Sequence, residues 1–232
     1  MLDVAPEISL CVTGAMPELS PALDATVERH WREACRHRPL FNGQVFCADR
    51  IGPERIEGHW TEYRRAVAQM ADPGLREALR IRSLAVCGLL RCRDGVAVGR
   101  REATSVYQAG LWQLPPAGSV DTGAAEPGRA SWRRALLGEL REELGIEAAD
   151  VTRLRPLCLV QHPSGVLDLG VEITTDLAGE TLLAAHARRG NGEYERLLVV
   201  SEGELERRIA AEGGRLVESA HAFLNRSRHL AS

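Results

Sequence analysis

Gly138-Glu139-Leu140-Arg141-Glu142-Glu143-Leu144-Gly145-Ile146 sets three carboxylates, Glu139, Glu142 and Glu143, at i, i+3 and i+4. On an α-helix those positions share one face. Like charges in one patch repel, so a helix gains nothing by clustering them unless a cation sits there. Hard divalent cations such as Mg²⁺ take oxygen ligands and suit such a patch. Leu136, Leu140 and Leu144 form a separate stripe, suited to burial. Ser131 supplies an N-cap and Gly145 a helix stop. An isolated E-x-x-E-E is more often a solvated helix surface, because short patterns recur by chance. The flanking sequence decides between the two.

Upstream lies Leu111-Trp112-Gln113-Leu114-Pro115-Pro116-Ala117-Gly118, an apolar run that breaks into a Pro/Gly loop. Strand, glycine loop and carboxylate helix in that order resemble the Nudix hydrolases, whose signature is G-x5-E-x7-R-E-U-x-E-E-x-G-U, with U a bulky aliphatic residue. Glu139, Leu140, Glu142, Glu143, Gly145 and Ile146 fall on its second half in register. The signature's Arg is Gly138 here and its upstream Glu is Ala130, while the loop 119–130 is lengthened. Gly138 leaves Glu142 without the Arg that would restrain it, and costs about 1 kcal/mol of helix propensity relative to Ala. The wider pattern is similar to the subgroup that hydrolyses UDP-glucose and UDP-galactose and carries an N-terminal extension. The shared marks are Trp31, Pro39-Leu40-Phe41, Tyr63 and Leu114-Pro115.

The resemblance implies a mixed-sheet α/β/α sandwich, an α/β fold class, over residues 81–232, with a small N-terminal α/β extension over residues 1–80. It implies Mg²⁺, with Mn²⁺ as a substitute, held by Glu139, Glu142 and Glu143. An acidic residue from a loop after the helix then completes the metal site or serves as base. In Asn191-Gly192-Glu193-Tyr194-Glu195 the best match is Glu193, with Glu195 behind it. The general base is Glu142 or Glu193, and both stay open. Candidate substrate contacts are the backbone at Gly118, Arg100 and Arg101 for phosphate, and Trp112 or Tyr107 for a base. His162 is a candidate proton donor to the leaving group, although a lone loop histidine is more often structural.

The chain has 232 residues, 44% hydrophobic and 26% charged, which is ordinary for a globular protein. Its net charge of −3 argues against a general nucleic-acid binder. All 29 basic residues are arginine, so a lysine Schiff base or a P-loop lysine is impossible. Any phosphate clamp must use Arg, backbone N–H or metal. No run approaches a membrane span, and Asp3 and Glu7 near the start do not suit a secretory signal. The six cysteines include no C-x-x-C, and a reducing, cytoplasmic setting is expected. The expected partner is a small nucleoside diphosphate compound, with neither nucleic acid nor membrane; a homodimer is left open.

Along the chain, helices are expected near 21–37 and 61–70, and strands at 44–47, 83–90, 96–99 and 107–114. After the carboxylate helix come strands at 156–160, 166–174 and 195–200, and helices at 180–188, 202–211 and 215–224. Asp168 and Glu172 share one strand face; an acid in a core strand is costly unless paired or metal-bound, and the alternative is that both face solvent. Arg133 and Arg134 sit in the first helical turn, where the dipole disfavours cations. The first functional reading is hydrolysis of a UDP-sugar to UMP and sugar 1-phosphate. The second keeps the chemistry and takes another diphosphate: a dinucleotide, a nucleoside triphosphate or a prenyl diphosphate. The third is a non-catalytic nucleotide-binding module.

Overall fold

Two sheets share one core in the computed structural model, which describes residues 1–37, 39–103, 105 and 107–230. The strands are β1 (Leu2–Asp3), β2 (Ser9–Val12), β3 (Gln44–Ile51), β4 (Arg55–Glu62), β5 (Leu84–Cys92), β6 (Gly95–Arg101), β7 (Trp112–Gln113), β8 (Ala117–Ser119), β9 (Ala125–Glu126), β10 (Arg129–Ala130), β11 (Val151–Gln161), β12 (Leu167–Thr175) and β13 (Tyr194–Val200). The helices are α1 (Pro21–His37), α2 (Tyr63–Ala71), α3 (Arg76–Leu79), α4 (Trp132–Leu144), α5 (Gly179–Arg189), α6 (Leu205–Ala211) and α7 (Glu218–His229). The larger sheet runs β1-β11-β12-β5-β6-β13, with β8 on β5 and β7 on β6. It is mixed: β12 and β5 are parallel, while β11–β12, β5–β6 and β6–β13 are antiparallel.

Alternation along β5 gives this sheet two buried faces. Leu84, Val86 and Leu90 join one core with Leu136, Leu140 and Leu144 of α4 and Leu182 of α5. Cys87 and Leu89 join the other with Leu205 and Ile209 of α6 and Phe223 of α7. Helices therefore cover both faces, and the expected α/β/α sandwich is what forms. α7 lies along β12 in step with it. Phe223 covers Gly170, where a Cβ would sit 2.2 Å from the ring, and Ser227 donates to Glu172. Four residues of helix advance about 6 Å and two of strand about 6.6 Å, so the match repeats.

The smaller sheet runs β3-β4-β2-β10-β9. Each sheet has a pairing that crosses the expected boundary at residue 80. β1 pairs with β11, and β10, from beyond that boundary, pairs with β2. Leu10, Phe46 and Ile56 pack into the same core as α4. The extension's aromatics mostly pack on one another: Trp31 on Tyr63 and Phe46 on Trp60, with ring centroids 6.3 and 5.9 Å apart.

Ser131 caps α4 as expected, accepting from the Arg134 N–H at 3.3 Å, and Gly145 ends it at φ 68°. Arg133 stacks on Trp132, its guanidinium 4.4 Å from the ring centroid, and Arg134 pairs with Glu126. Those contacts hold the two cations in place against the dipole. The strand expected over 107–114 survives only as β7, because Gln108 and Gly110 adopt positive φ; residue 106 borders it outside the described residues. The last helix starts later and runs further than expected, Glu218–His229. Asp168 and Glu172 are buried, not in solvent, each with partners: His162 for Asp168, and Arg91, Arg155 and Ser227 for Glu172. Among the described residues, no helix is long and apolar enough to cross a membrane.

Candidate active site

β5 and β6 are hydrogen-bonded only at Arg91↔Val96 and Cys92↔Gly95. Beyond that point they splay, β5 continuing against β8 and β6 against β7. The Pro115-Pro116 segment bridges the fork. Gly88 sits at its base, donating to the Pro116 carbonyl at 2.7 Å, where a Cβ would meet Pro116 at 2.5 Å. A cleft of about 280 Å³ opens in the fork, lined by Glu139 and Glu143 of α4, Gly118 of β8, Arg101 of β6, Asp168 of β12 and Glu193 before β13, among others.

Glu139 and Glu143 are one turn apart. Glu143 is buried, and one of its oxygens accepts from the Ala117 N–H at 3.0 Å and the Tyr194 hydroxyl at 2.9 Å. Burial and the Glu139 charge hold its carboxyl well above the usual range, against the pull of those two donors. Glu139 is half-buried and lies directly on Gly118, where a Cβ would sit 1.7 Å from its Oε1. Burial pushes its pKa up to about 7, with Glu142, Asp121 and Glu193 adding repulsion. Glu142 is exposed and outside the cleft lining. Positions i and i+4 differ by about 40° around a helix, while i+3 falls about 60° to the other side, which carries Glu142 away from the fork.

The other nominated residues separate. Arg101 faces the cleft, donating to the Tyr107 carbonyl and Gln113 Oε1, both at 3.1 Å, and pairing with Glu193 at 2.7 Å. Arg100 pairs instead with Glu195 at 2.9 Å, and neither lines the cleft. Trp112 is fully buried in the second core, covering Gly214, and presents no face to a base. Tyr107 does line the cleft, edge-on to His162 with centroids 5.9 Å apart. His162 is no lone loop histidine: its Nε2 lies 2.7 Å from Asp168 Oδ2, and both are buried. Burial is the largest single influence and would lower its pKa; the Asp168 hydrogen bond and the charges of Asp168 and Glu218 together outweigh it and raise it. Sequence reasoning missed Gln113 and Tyr194. Their only signal was a polar residue in an apolar run and a tyrosine beside Glu193.

A divalent cation was implied, and the donors suit one. Glu139 and Glu143 give carboxylate oxygens only, and burial with the neighbouring carboxylates makes both hold protons tightly. The missing Cβ at Gly118 makes the cradle in which Glu139 lies. Among the described residues, no three acidic, histidine or cysteine side chains already converge in ion-binding geometry.

Glu139 binds its proton more tightly folded (about 7) than at its ordinary value of 4.5, so its contribution to stability is lost as pH rises between the two. The metal-free protein is expected to lose stability relative to Glu139→Gln from pH about 4.5 to 7, then level off. Thermal melts of both proteins in EDTA check this, and parallel curves across that window would remove the strained carboxyl.

No protein-family model and no curated protein matches the sequence. Solved structures do. The NUDIX domain of Shewanella oneidensis NrtR, complexed with ADP ribose, is 14% identical over 67% of this chain and 92% of its own, with TM-score 0.47. The MutT protein of Methanosarcina mazei Go1 is 17% identical over 65% and 96%, with TM-score 0.46. A putative nudix hydrolase family member from Chromobacterium violaceum is 19% identical over 64% and 77%, with TM-score 0.42. The chain is similar to these proteins in part of its length, and its functional reading rests on the residues of the cleft.

Proposed function

We propose that this chain is a Nudix-type pyrophosphohydrolase that uses Mg²⁺ to cleave the diphosphate of a nucleoside diphosphate linked to a second moiety, a UDP-sugar foremost. The observation that carries the reading is the Glu139–Glu143 pair beneath Gly118 at a forked sheet, two carboxylates kept together at the cost of their ionisation. Glu139 and Glu143 would hold the cation, with Glu142 adding charge at the rim. When bound, the cation neutralises phosphate oxygens and acidifies a water. Glu193 faces the same cleft and accepts the proton of the attacking water. Glu142 is the less suited base because it lies outside the lining. Water oxygen bonds to phosphorus, the bridging P–O bond breaks, and UMP and sugar 1-phosphate leave.

The cleft lining favours a sugar. Asp168, Ser83, Ser219 and Tyr107 belong to it and supply acceptors and hydroxyls suited to ligand hydroxyl groups. A further phosphate would be repelled by Asp168, and a prenyl chain would leave these groups unpaired. The test is product release with Mg²⁺, Mn²⁺ or EDTA: UMP from UDP-glucose, UDP-galactose and UTP, AMP from ADP-ribose, and phosphate from a prenyl diphosphate. Metal-dependent UMP release, greatest for the UDP-sugars, is the expected result. Turnover of other diphosphates alone would move the chain to the second reading, and tight binding without turnover to a non-catalytic module.

A further inference from the structure

Glu143 is held from outside its own helix, and the holding groups form a chain with a fixed direction. Arg101 donates to Gln113 Oε1 at 3.1 Å, Gln113 Nε2 donates to the Tyr194 hydroxyl at 2.7 Å, and that hydroxyl donates to Glu143 at 2.9 Å. A guanidinium can only donate, so it fixes which end of the Gln113 amide faces it. The other end is then a donor, which leaves the single Tyr194 proton to point at Glu143. Gln113, Tyr194 and Glu143 are all buried, so none can exchange its partner for water. The Tyr194 ring lies on Gly99, where a Cβ would clash at 2.4 Å, so its slot is fixed as well. Position 138, one helical turn before Glu142, carries no side chain, and a Cβ there would touch nothing within 4 Å.

We infer that Arg101, Gln113 and Tyr194 are positioning residues. They act through one another to tie one oxygen of Glu143 and aim the other into the cleft, a restraint that the carboxylate helix does not supply itself. Arg101 also pairs directly with Glu193 at 2.7 Å, so one guanidinium sets two of the acids around the cleft. Outer hydrogen bonds of this kind orient metal ligands and are worth about 10- to 100-fold in affinity. The inference rests on the cation-binding part of the proposed function and is independent of the substrate.

The test is Mn²⁺ affinity, by calorimetry, of the full chain carrying Tyr194→Phe, Gln113→Glu, or both, with thermal melts to establish folding. Tyr194→Phe removes one hydroxyl and is expected to weaken Mn²⁺ binding about 10-fold or more. Gln113→Glu places an acceptor on both sides of the link, drawing the Tyr194 proton away from Glu143. It is expected to weaken binding too, whereas a mere added negative charge would tighten it. The double variant is expected to match Tyr194→Phe, because the second change acts through the group already removed. Wild-type affinity in folded Tyr194→Phe, tighter binding by Gln113→Glu, additive losses, or no Mn²⁺ binding by the wild type would each overturn the chain. Mn²⁺ binding that responds as expected, without turnover on any diphosphate, would overturn the hydrolase reading and leave the chain standing.

Discussion

Glu143→Gln is expected to lower turnover by roughly 100-fold or more while the protein stays folded. The amide keeps the shape and can still accept from Ala117 N–H and Tyr194 O–H, the two donors that hold the carboxylate. What it loses is the charge. Without metal that charge is a liability, because burial and Glu139 push the Glu143 proton affinity well up. Two signs therefore oppose one another in a single variant. In EDTA the Gln form should melt no lower than wild type, since a carboxyl whose ionisation burial opposes is gone. With Mg²⁺ the wild type should gain stability by ligand linkage and the variant should gain little. UMP release and paired melts measure both. Undiminished Mg²⁺-dependent turnover would take Glu143 out of the site, and with it the proposed reaction.

Gly118→Ala is expected to cost turnover on the order of 100-fold for a steric reason. Its new methyl would lie 1.7 Å from Glu139 Oε1 and 2.0 Å from the carboxyl carbon, so the carboxylate must swing away. The ladder pairing Gly118↔Val86 uses backbone only and tolerates the methyl. The damage should thus appear in kcat and in Mg²⁺ affinity, with a small change in melting temperature. Gly138→Ala is the matched control. Nothing lies within 4 Å of a Cβ there, and Ala gains about 1 kcal/mol of helix propensity, so a higher melting temperature with unchanged turnover is expected. If Gly118→Ala retains full turnover, Glu139 does not work from the position it occupies on α4 against Gly118.

The carboxylate helix was legible because every cue for it is local. Ser131 and Gly145 mark its ends, the leucine stripe marks its buried face, and all three cues depend on spacing within one element. The same held for β5, β6 and β12, whose apolar runs are long enough to name themselves. β4 was missed because its inward positions include Gly58, His59 and Thr61, so no apolar alternation shows. Gly58 is required there for contact, a Cβ lying 2.1 Å from the Cys47 carbonyl. Short strands such as β8, β9 and β10 carry two or three residues each, too few for any period.

The site divides along the same line. Local spacing alone determined that Glu139 and Glu143 share a helix face and stand near a glycine loop. Only the tertiary structure decided that Glu142 turns outward, that Trp112 belongs to the core, and that Arg100 pairs at the surface while Arg101 enters the cleft. Those outcomes follow from where β5 and β6 part, and the parting depends on Pro116 seating against Gly88 across 28 residues of chain. The partners of Glu143 come from positions 26 and 51 residues away. Hydrogen bonds over such separations leave no period in the sequence, because only the folded sheet brings their ends together.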